Sequence, residues 1–337
     1  MQRYTLLLFL LIGSLPLSAQ LFPQLGGQRA GISALTFLKI EVSPRAAALA
    51  GASNTLTGDA YAIANNPASL AEIDQFSLGA SNTFWVADIN YAFLAANLPT
   101  KRAGNFAISL SGLNSGPMPV RTTFQPEGTG QNFYAYYLTA GVSYAKRLTD
   151  QFSWGASAKY VHEQLAEFQA NTFVVDLGFL YETDFRDLRF AVVLENFGPN
   201  STLSGEVEID TTFNRKGINL DSYPAPALFK LGVSIKAWEN DAKDQYITGM
   251  LQLNHPNDNS ENIRLGLEYS YKDLLFLRAG YKINVADQNY PTAGIGLRMR
   301  AGRHPLIFDY ALDPLEFLGN VHRVGLSFRI NPENRDS

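Results

Sequence analysis

The chain has no cysteine, so it can hold neither a disulfide framework nor a cysteine-based zinc site. It also lacks any uninterrupted apolar run of about 18 residues, which excludes a membrane-spanning helix. Histidine is scarce. His162, His255, His304 and His322 are the whole complement, and none stands at metal-ligand spacing from another. There is no Gly-x-Ser-x-Gly elbow, no P-loop and no dinucleotide glycine fingerprint. No catalytic, cofactor-binding or metal site is therefore expected, and the chain reads as a non-enzyme. The net charge of −4 comes without long runs of either sign, so no nucleic-acid footprint is visible.

The opening residues carry an export address. Met1-Gln2-Arg3 supplies one positive charge, and Leu6 to Ile12 is unbroken apolar sequence. Gly13, Ser14 and Pro16 then break the run, and Leu17-Ser18-Ala19 before Gln20 suits cleavage after a small residue. This is the three-part pattern of a secretory signal peptide over residues 1–19. An N-terminal strand is the alternative. A transmembrane helix is not, because it needs about 20 apolar residues.

Residues 20–73 differ from everything after them. Ser43-Pro44-Arg45-Ala46-Ala47-Ala48-Leu49-Ala50-Gly51 predicts a short helix. Ser43 is its N-cap, Pro44 suits the first helical position, and Gly51 suits a left-handed stop. Asp59 to Ala64 predicts a second turn of helix, ended by Asn65-Asn66-Pro67 because a proline pushes the residue before it out of helical geometry.

From about residue 74 the pattern becomes period two. Phe229, Leu231, Val233 and Ile235 alternate with Lys230, Gly232, Ser234 and Lys236. Leu275, Leu277, Ala279 and Tyr281 alternate with Phe276, Arg278, Gly280 and Lys282. Val324, Leu326, Phe328 and Ile330 alternate with Arg323, Gly325, Ser327 and Arg329. Strict alternation marks strands with one buried face. Polar faces that combine charge with glycine suit a membrane barrel, whose apolar face meets lipid and whose polar face lines a lumen. The glycines leave room in a crowded interior. Strand centres fall at Leu78, Phe93, Ile108, Leu138, Ala156, Leu177, Val192, Val233, Leu251, Leu267, Leu277, Leu297, Phe308 and Leu326. That is about fourteen, an even number, as single-chain bacterial barrels have.

The expected architecture is an all-β, transmembrane antiparallel β-barrel over residues 74–330, with a tail at 331–337 in the periplasm. Its expected address is the bacterial outer membrane, with lipid as its surroundings. Connection lengths supply a test. The turns at 99–103, 147–151, 183–187, 238–244, 272–273 and 301–303 are short and fall on one side. The two longest connections, 114–132 and 198–226, fall on the other. Trp85, Tyr134, Tyr136, Phe152, Trp154, Tyr181, Tyr246 and Tyr271 cluster where strands meet connections. They suit interfacial girdles and equally the ordinary strand propensity of aromatics.

A barrel this wide is not filled by wall side chains alone. Residues 20–73 are therefore expected in the lumen as a small plug, with Arg45, Asn66 and Pro67 as its candidate anchors. Lumen carboxylates such as Glu268 or Asp309 would take the charge of Arg45. The alternative is a flexible periplasmic tail. Arg264, Glu268, Arg278, Lys282, Arg298 and Asp309 are the candidate lumen charges. They either line a pore or pair with one another to fill the interior. Glu182, Asp184 and Asp187 form an acidic turn, read as solvated in preference to a calcium site. Asn200-Ser201-Thr202 fits a glycosylation acceptor only by coincidence in such a loop.

Several segments together resemble the PorV/PorQ family. They are Ala34-Leu35-Thr36-Phe37-Leu38, the 43–51 helix, Asp59 and Asn66-Pro67-Ala68-Ser69-Leu70 at the opening. At the close they are Arg264-Leu265-Gly266-Leu267-Glu268-Tyr269, Leu277-Arg278-Ala279-Gly280-Tyr281, Thr292-Ala293-Gly294-Ile295-Gly296-Leu297, Asp309-Tyr310-Ala311 and the stretch 318–328. That resemblance implies a FadL-like, fourteen-stranded outer-membrane barrel with an N-terminal segment in its lumen. It further implies an accessory or cargo-binding role in the type IX secretion system of Bacteroidetes. The partners would be the secretion translocon and the C-terminal domains of exported cargo. It carries no catalytic residues and no cofactor. A FadL-like transporter of small hydrophobic molecules is the alternative function, and the lumen discriminates the two: a transporter needs an apolar pocket with a few polar anchors.

Overall fold

The structure, a computed structural model, describes residues 31–100, 103–205, 220–286, 288–302 and 304–330. The expected signal peptide and the expected tail at 331–337 lie outside the described residues.

Fourteen strands form one closed barrel in which each strand pairs antiparallel with its chain neighbours. They are β1 (Ser77–Phe84), β2 (Asn90–Leu98), β3 (Asn105–Asn114), β4 (Ala135–Arg147), β5 (Phe152–Leu165), β6 (Phe168–Glu182) and β7 (Arg189–Phe197). The second half comprises β8 (Leu228–Asn240), β9 (Gln245–Pro256), β10 (Asn262–Tyr271), β11 (Leu275–Ile283), β12 (Thr292–Ala301), β13 (His304–Leu315) and β14 (Gly319–Arg329). Each of the fourteen predicted centres falls in a different strand. β14 returns to pair with β1, Leu326 opposite Ala80 and Ser327 opposite Gly79. Closure leaves no strand edge unpaired, which is how a barrel satisfies its backbone without cysteine staples.

The alternation decides which face is which. Leu94, Ile108, Leu110, Leu138, Leu267 and Leu326 stand exposed on the outer surface. Their neighbours one residue along, such as Ser109, Gly266, Glu268 and Ser327, face inward, and Glu268 and Ser327 are each 2% exposed. A soluble protein would hide the leucines and wet the charges. The inversion is the arrangement a lipid surround stabilises. The short connections 99–104, 148–151, 183–188, 241–244, 272–274 and 302–303 share one end of the barrel. The long ones, 115–134 and 198–227, share the other. Within 115–134 a two-stranded ribbon pairs Met118 with Phe133 and Pro119 with Asn132, a detail the alternation gave no sign of.

The N-terminal segment folds as short pieces: a 3₁₀ turn at Thr36–Lys39, helix α1 (Pro44–Ala48), helix α2 (Ala62–Asn65) and a 3₁₀ turn at Pro67–Glu72. Ser43 caps α1 by accepting a hydrogen bond from the Ala46 amide at 3.2 Å. The left-handed stop begins one residue earlier than expected, with φ of +57° at Ala50 and +77° at Gly51. Asn66 is extended at φ −162° and accepts from the Ala68 amide, starting the last turn. α1 packs against β11, β12, β13 and β14, whereas the Pro67–Glu72 turn packs against β3, β4, β5 and β6. The segment thus reaches opposite walls, and Ala46, Ala48, Leu49, Ala50, Leu70 and Asn66 are fully buried.

Candidate functional site

The inward faces of β10, β11 and β13 and the N-terminal segment share one ionic network. Arg45 donates from Nε to Glu268 Oε2 at 2.8 Å and from Nη2 to Glu268 Oε1 at 2.7 Å. The planar guanidinium matches the carboxylate edge for edge, which is the strong form of this contact. Glu268 also accepts from Arg278 Nε at 2.7 Å, and Arg278 passes its second bond to Asp309. Of the two carboxylates expected for Arg45, the fork takes Glu268, and Asp309 is occupied by Arg278. Asp59 stands 3.3 Å from Arg45 Nη1. Burial pushes the Asp59 carboxyl above its ordinary range, with the nearby Arg45 pulling the other way. Burial works against the charge of Arg45, but Glu268 and Asp59 more than offset it and hold that guanidinium's pKa above its usual value.

Asn66 and Pro67 meet the opposite wall at two glycines. A side chain at Gly178 would overlap the Asn66 amide oxygen, and one at Gly155 would overlap the Pro67 backbone. The same holds at Gly232 against Asn54 and at Gly280 against Leu49 and Ala50. The wall glycines are therefore a mould of this particular segment. Asn66 also donates to the Asn54 carbonyl at 2.8 Å, tying the segment to itself. Gln252 accepts from the Ser53 and Asn54 amides at 3.0 Å each, and the Thr292 hydroxyl donates to the Ala48 carbonyl at 2.9 Å.

The remaining sequence-predicted charges lie apart from that network. Lys282 pairs with Asp313 at 3.0 Å, and Arg323 reaches the same carboxylate at 3.4 Å. Arg298 sits near the short-turn end, 3.7 Å from Asp273, with its guanidinium over the Phe276 ring. Arg264 donates to the amide oxygen of Asn262 at 3.2 Å. The sequence reading named the polar faces holding Lys230 and Arg323 but singled out neither. It passed over Glu41, Lys159, Asp176, Glu195 and Asp313 entirely. Lys159, Asp176, Glu195 and Asp313 sit on strands, so projecting the period-two pattern through every strand would have found them. Glu41 lies in the aperiodic segment and had no such signal. Trp85 and Tyr246 face inward, not the bilayer interface: Arg323 lies over the Trp85 ring and Lys236 over the Tyr246 ring. Glu182 pairs with Arg189 and Asp187 with Lys236, and among the described residues no acidic or histidine cluster could hold a metal ion.

Two cavities flank the N-terminal segment. The one toward the short turns measures about 390 Å³ and is ringed by charge, including Arg45, Asp59, Glu268, Arg298 and Arg329. The one toward the long loops measures about 370 Å³. Val42, Ile63, Tyr91, Phe93 and Trp85 give it an apolar wall. Ser109, Ser111, Thr139, Ser143 and Ser157 give it a hydroxyl wall, and the ion pairs of Lys159, Lys230 and Lys282 close the third side. Its volume is in the range of small-molecule sites. A separate apolar hollow among Leu78, Leu94, Leu326 and Phe328 opens on the outer, lipid-type surface and not on the lumen.

No protein-family model and no curated protein sequence matches this chain. Solved structures do. The Pseudomonas putida toluene transporter TodX superposes with a TM-score of 0.56 at 13% identity, covering 90% of this chain and 99% of its own. The CymD monoaromatic hydrocarbon channel gives 0.52 at 13% identity, with 86% and 96% covered. A Pseudomonas aeruginosa FadL homologue gives 0.50 at 12% identity, with 86% and 97% covered. At such identities the likeness is one of fold, and it is that of FadL-like outer-membrane barrels.

Proposed function

We propose that the protein is a non-enzymatic outer-membrane channel that admits small molecules to a lumen plugged by residues 31–73. The observation that carries this reading is the 370 Å³ cavity inside the barrel, open toward the long loops and floored by the N-terminal segment, with apolar and polar walls facing each other. The lumen faces legible in the sequence are charged and glycine-rich, which favours the secretion reading, and the apolar wall is what they do not show. Much of it comes from the aperiodic segment (Val42, Ile63) and from the first hairpin (Trp85, Tyr91, Phe93). TodX, a toluene transporter, and CymD, a monoaromatic hydrocarbon channel, share this fold, which supports the same reading. The short-turn end faces the periplasm and the long-loop end faces outward.

A secretion role of the PorV/PorQ type is the second reading. It draws on the ordered resemblance of residues 34–70 and 264–328 and on the density of the Arg45–Glu268–Arg278 network, which suits a permanently shut barrel. Purified protein in sealed vesicles separates the two. Uptake of small aromatic solutes above protein-free vesicles supports the channel. A tight vesicle, with recovery of secretion translocon proteins on affinity purification from the native envelope, supports the secretion role and refutes the channel.

A further inference from the structure

Among the cations that line the outward cavity, Arg264 alone of the described residues has no carboxylate in contact. Lys39 pairs with Asp258, Lys159 with Asp176, Lys230 with Glu195, and both Lys282 and Arg323 with Asp313. Arg264 is oriented only by neutral groups. Asn262 accepts from its Nε at 3.2 Å, and the Asn254 amide lies against the same fork, its oxygen accepting from Nε and Nη2 once the amide is turned over. Neutral amides fix the direction of a guanidinium without cancelling its charge. Its tip lies over Gly51, where a side chain would overlap it. Within the same cavity one carboxylate is also unpaired. The Glu41 side chain makes no ion pair or hydrogen bond among the described residues; only its backbone carbonyl is used, by Arg323. A third polar group has no partner either, the buried Thr139 hydroxyl on the opposite wall.

A cation and an anion that share one space without touching each other are a costly arrangement when half-buried. A ligand carrying both opposite charges resolves it. We infer that the outward cavity binds a small zwitterion with an apolar side group, of the amino-acid or dipeptide class. Its carboxylate lies on the Arg264 fork, its ammonium on Glu41, and its side group on Val42, Ile63, Tyr91, Phe93 and Trp85. Arg264 suits the carboxylate because its five donors form a fork that takes two oxygens at once. Lys39, Lys159 and Lys230 are each neutralised by a carboxylate, whereas Lys282 and Arg323 share Asp313, so the cations of this wall favour the carboxylate end of the ligand and Glu41 is left for its ammonium. This inference rests on the channel reading, and it sets this lumen apart from one that carries a neutral hydrocarbon.

Four probes built on one phenyl ring test it: L-phenylalanine with both charges, 3-phenylpropionate with the carboxylate only, phenethylamine with the ammonium only, and toluene with neither. Binding is measured by equilibrium dialysis on the full, detergent-folded barrel, and flux in vesicles carrying it. L-phenylalanine is expected to bind most tightly, by about tenfold over either single-charge probe if each charged contact contributes about 1.4 kcal/mol. Glu41→Gln should remove that margin for L-phenylalanine and leave 3-phenylpropionate unchanged. Arg264→Gln should weaken both of those and leave phenethylamine unchanged. Unboiled gel mobility reports whether each variant is a closed barrel, and should Arg264→Gln fail to close, the probe series on the parent and on Glu41→Gln decides. Equal binding of 3-phenylpropionate and L-phenylalanine, with Glu41→Gln silent, overturns the zwitterion site. So does toluene binding best, though in both cases the channel reading survives if vesicles take up the probe. Neither binding nor flux of any probe overturns both.

Discussion

Glu268→Gln isolates what holds the N-terminal segment in the lumen. The substitution keeps the shape of the side chain and removes its charge. Glu268 is 2% exposed and accepts two bonds from Arg45 and one from Arg278. Breaking a buried ion pair by neutralising one member costs about 3–5 kcal/mol, because the other charge stays buried. Both arginines retain a second carboxylate, Asp59 for Arg45 and Asp309 for Arg278. The lower end of that range is therefore appropriate, about 3 kcal/mol, or about a hundredfold in the population of the undocked segment. The chain has no cysteine, so a single introduced thiol reports cleanly. Ser53→Cys and Ser69→Cys are near-isosteric, and both positions are 0% exposed. In the Glu268→Gln background, maleimide labelling at both should accelerate by about a hundredfold if labelling follows transient opening. Unchanged rates in a barrel shown closed by gel mobility would refute the assignment of Glu268 as the main latch. Labelling of the parent as fast as a free peptide would refute the plug altogether.

Three further outcomes follow from the same geometry. Leu326→Arg places a charge on the lipid face and should lower folded yield in vesicles by roughly 2–4 kcal/mol of stability, whereas Leu326→Phe should fold like the parent. Equal yields of the two would mean the inside and outside are exchanged. Gly178→Ala drives a methyl group into the Asn66 amide and should cost about 1–3 kcal/mol of segment docking, read as faster labelling at Ser69→Cys with unaltered barrel mobility. Ser43→Ala removes the only side-chain cap of α1 and should cost about 1 kcal/mol, a modest rise in labelling at Ser53→Cys measured against the Glu268→Gln effect.

The wall of this protein was legible from sequence because a membrane barrel writes its geometry at period two. Leu326 and Ser327 are adjacent in sequence and lie on opposite faces, and no tertiary contact is needed to say so. The sides of the connections followed from counting strands. What lay beyond the pattern is what depends on pairing across space. Whether Arg45 takes Glu268 or Asp309 is decided by where the closed wall sets the two carboxylates about Arg278, which bonds both. Trp85 and Tyr246 look like interface aromatics by composition, yet Tyr246 falls on the inward parity of β9 and Trp85 continues that of β1 just past its end, and each stacks under a cation. The bulge between β6 and β7, at Val175/Leu177, shifts the register there, and Asn196 adopts φ +54° with its amide bound by Asp176. No residue pattern announces that kink. The outward cavity was least legible of all, since Glu41 and Val42 belong to a segment with no periodicity and join Arg264 only when the barrel is closed around them.

The N-terminal segment reaches the β10–β14 wall at enormous chain separations, 223 residues from Arg45 to Glu268, 244 from Thr292 to Ala48 and 282 from Arg323 to Glu41, and the β3–β6 wall at 113 from Asn66 to Phe179. The segment is held by α1 against β11–β14 and by the 67–72 turn against β3–β6. A sheet that curls around the segment before β14 zips onto β1 makes both sets of contacts without threading it into a finished cylinder. In that order of events residues 31–73 act as a mandrel, setting the girth on which the wall is wound, and the entropy of those very long loops is committed at the final seam.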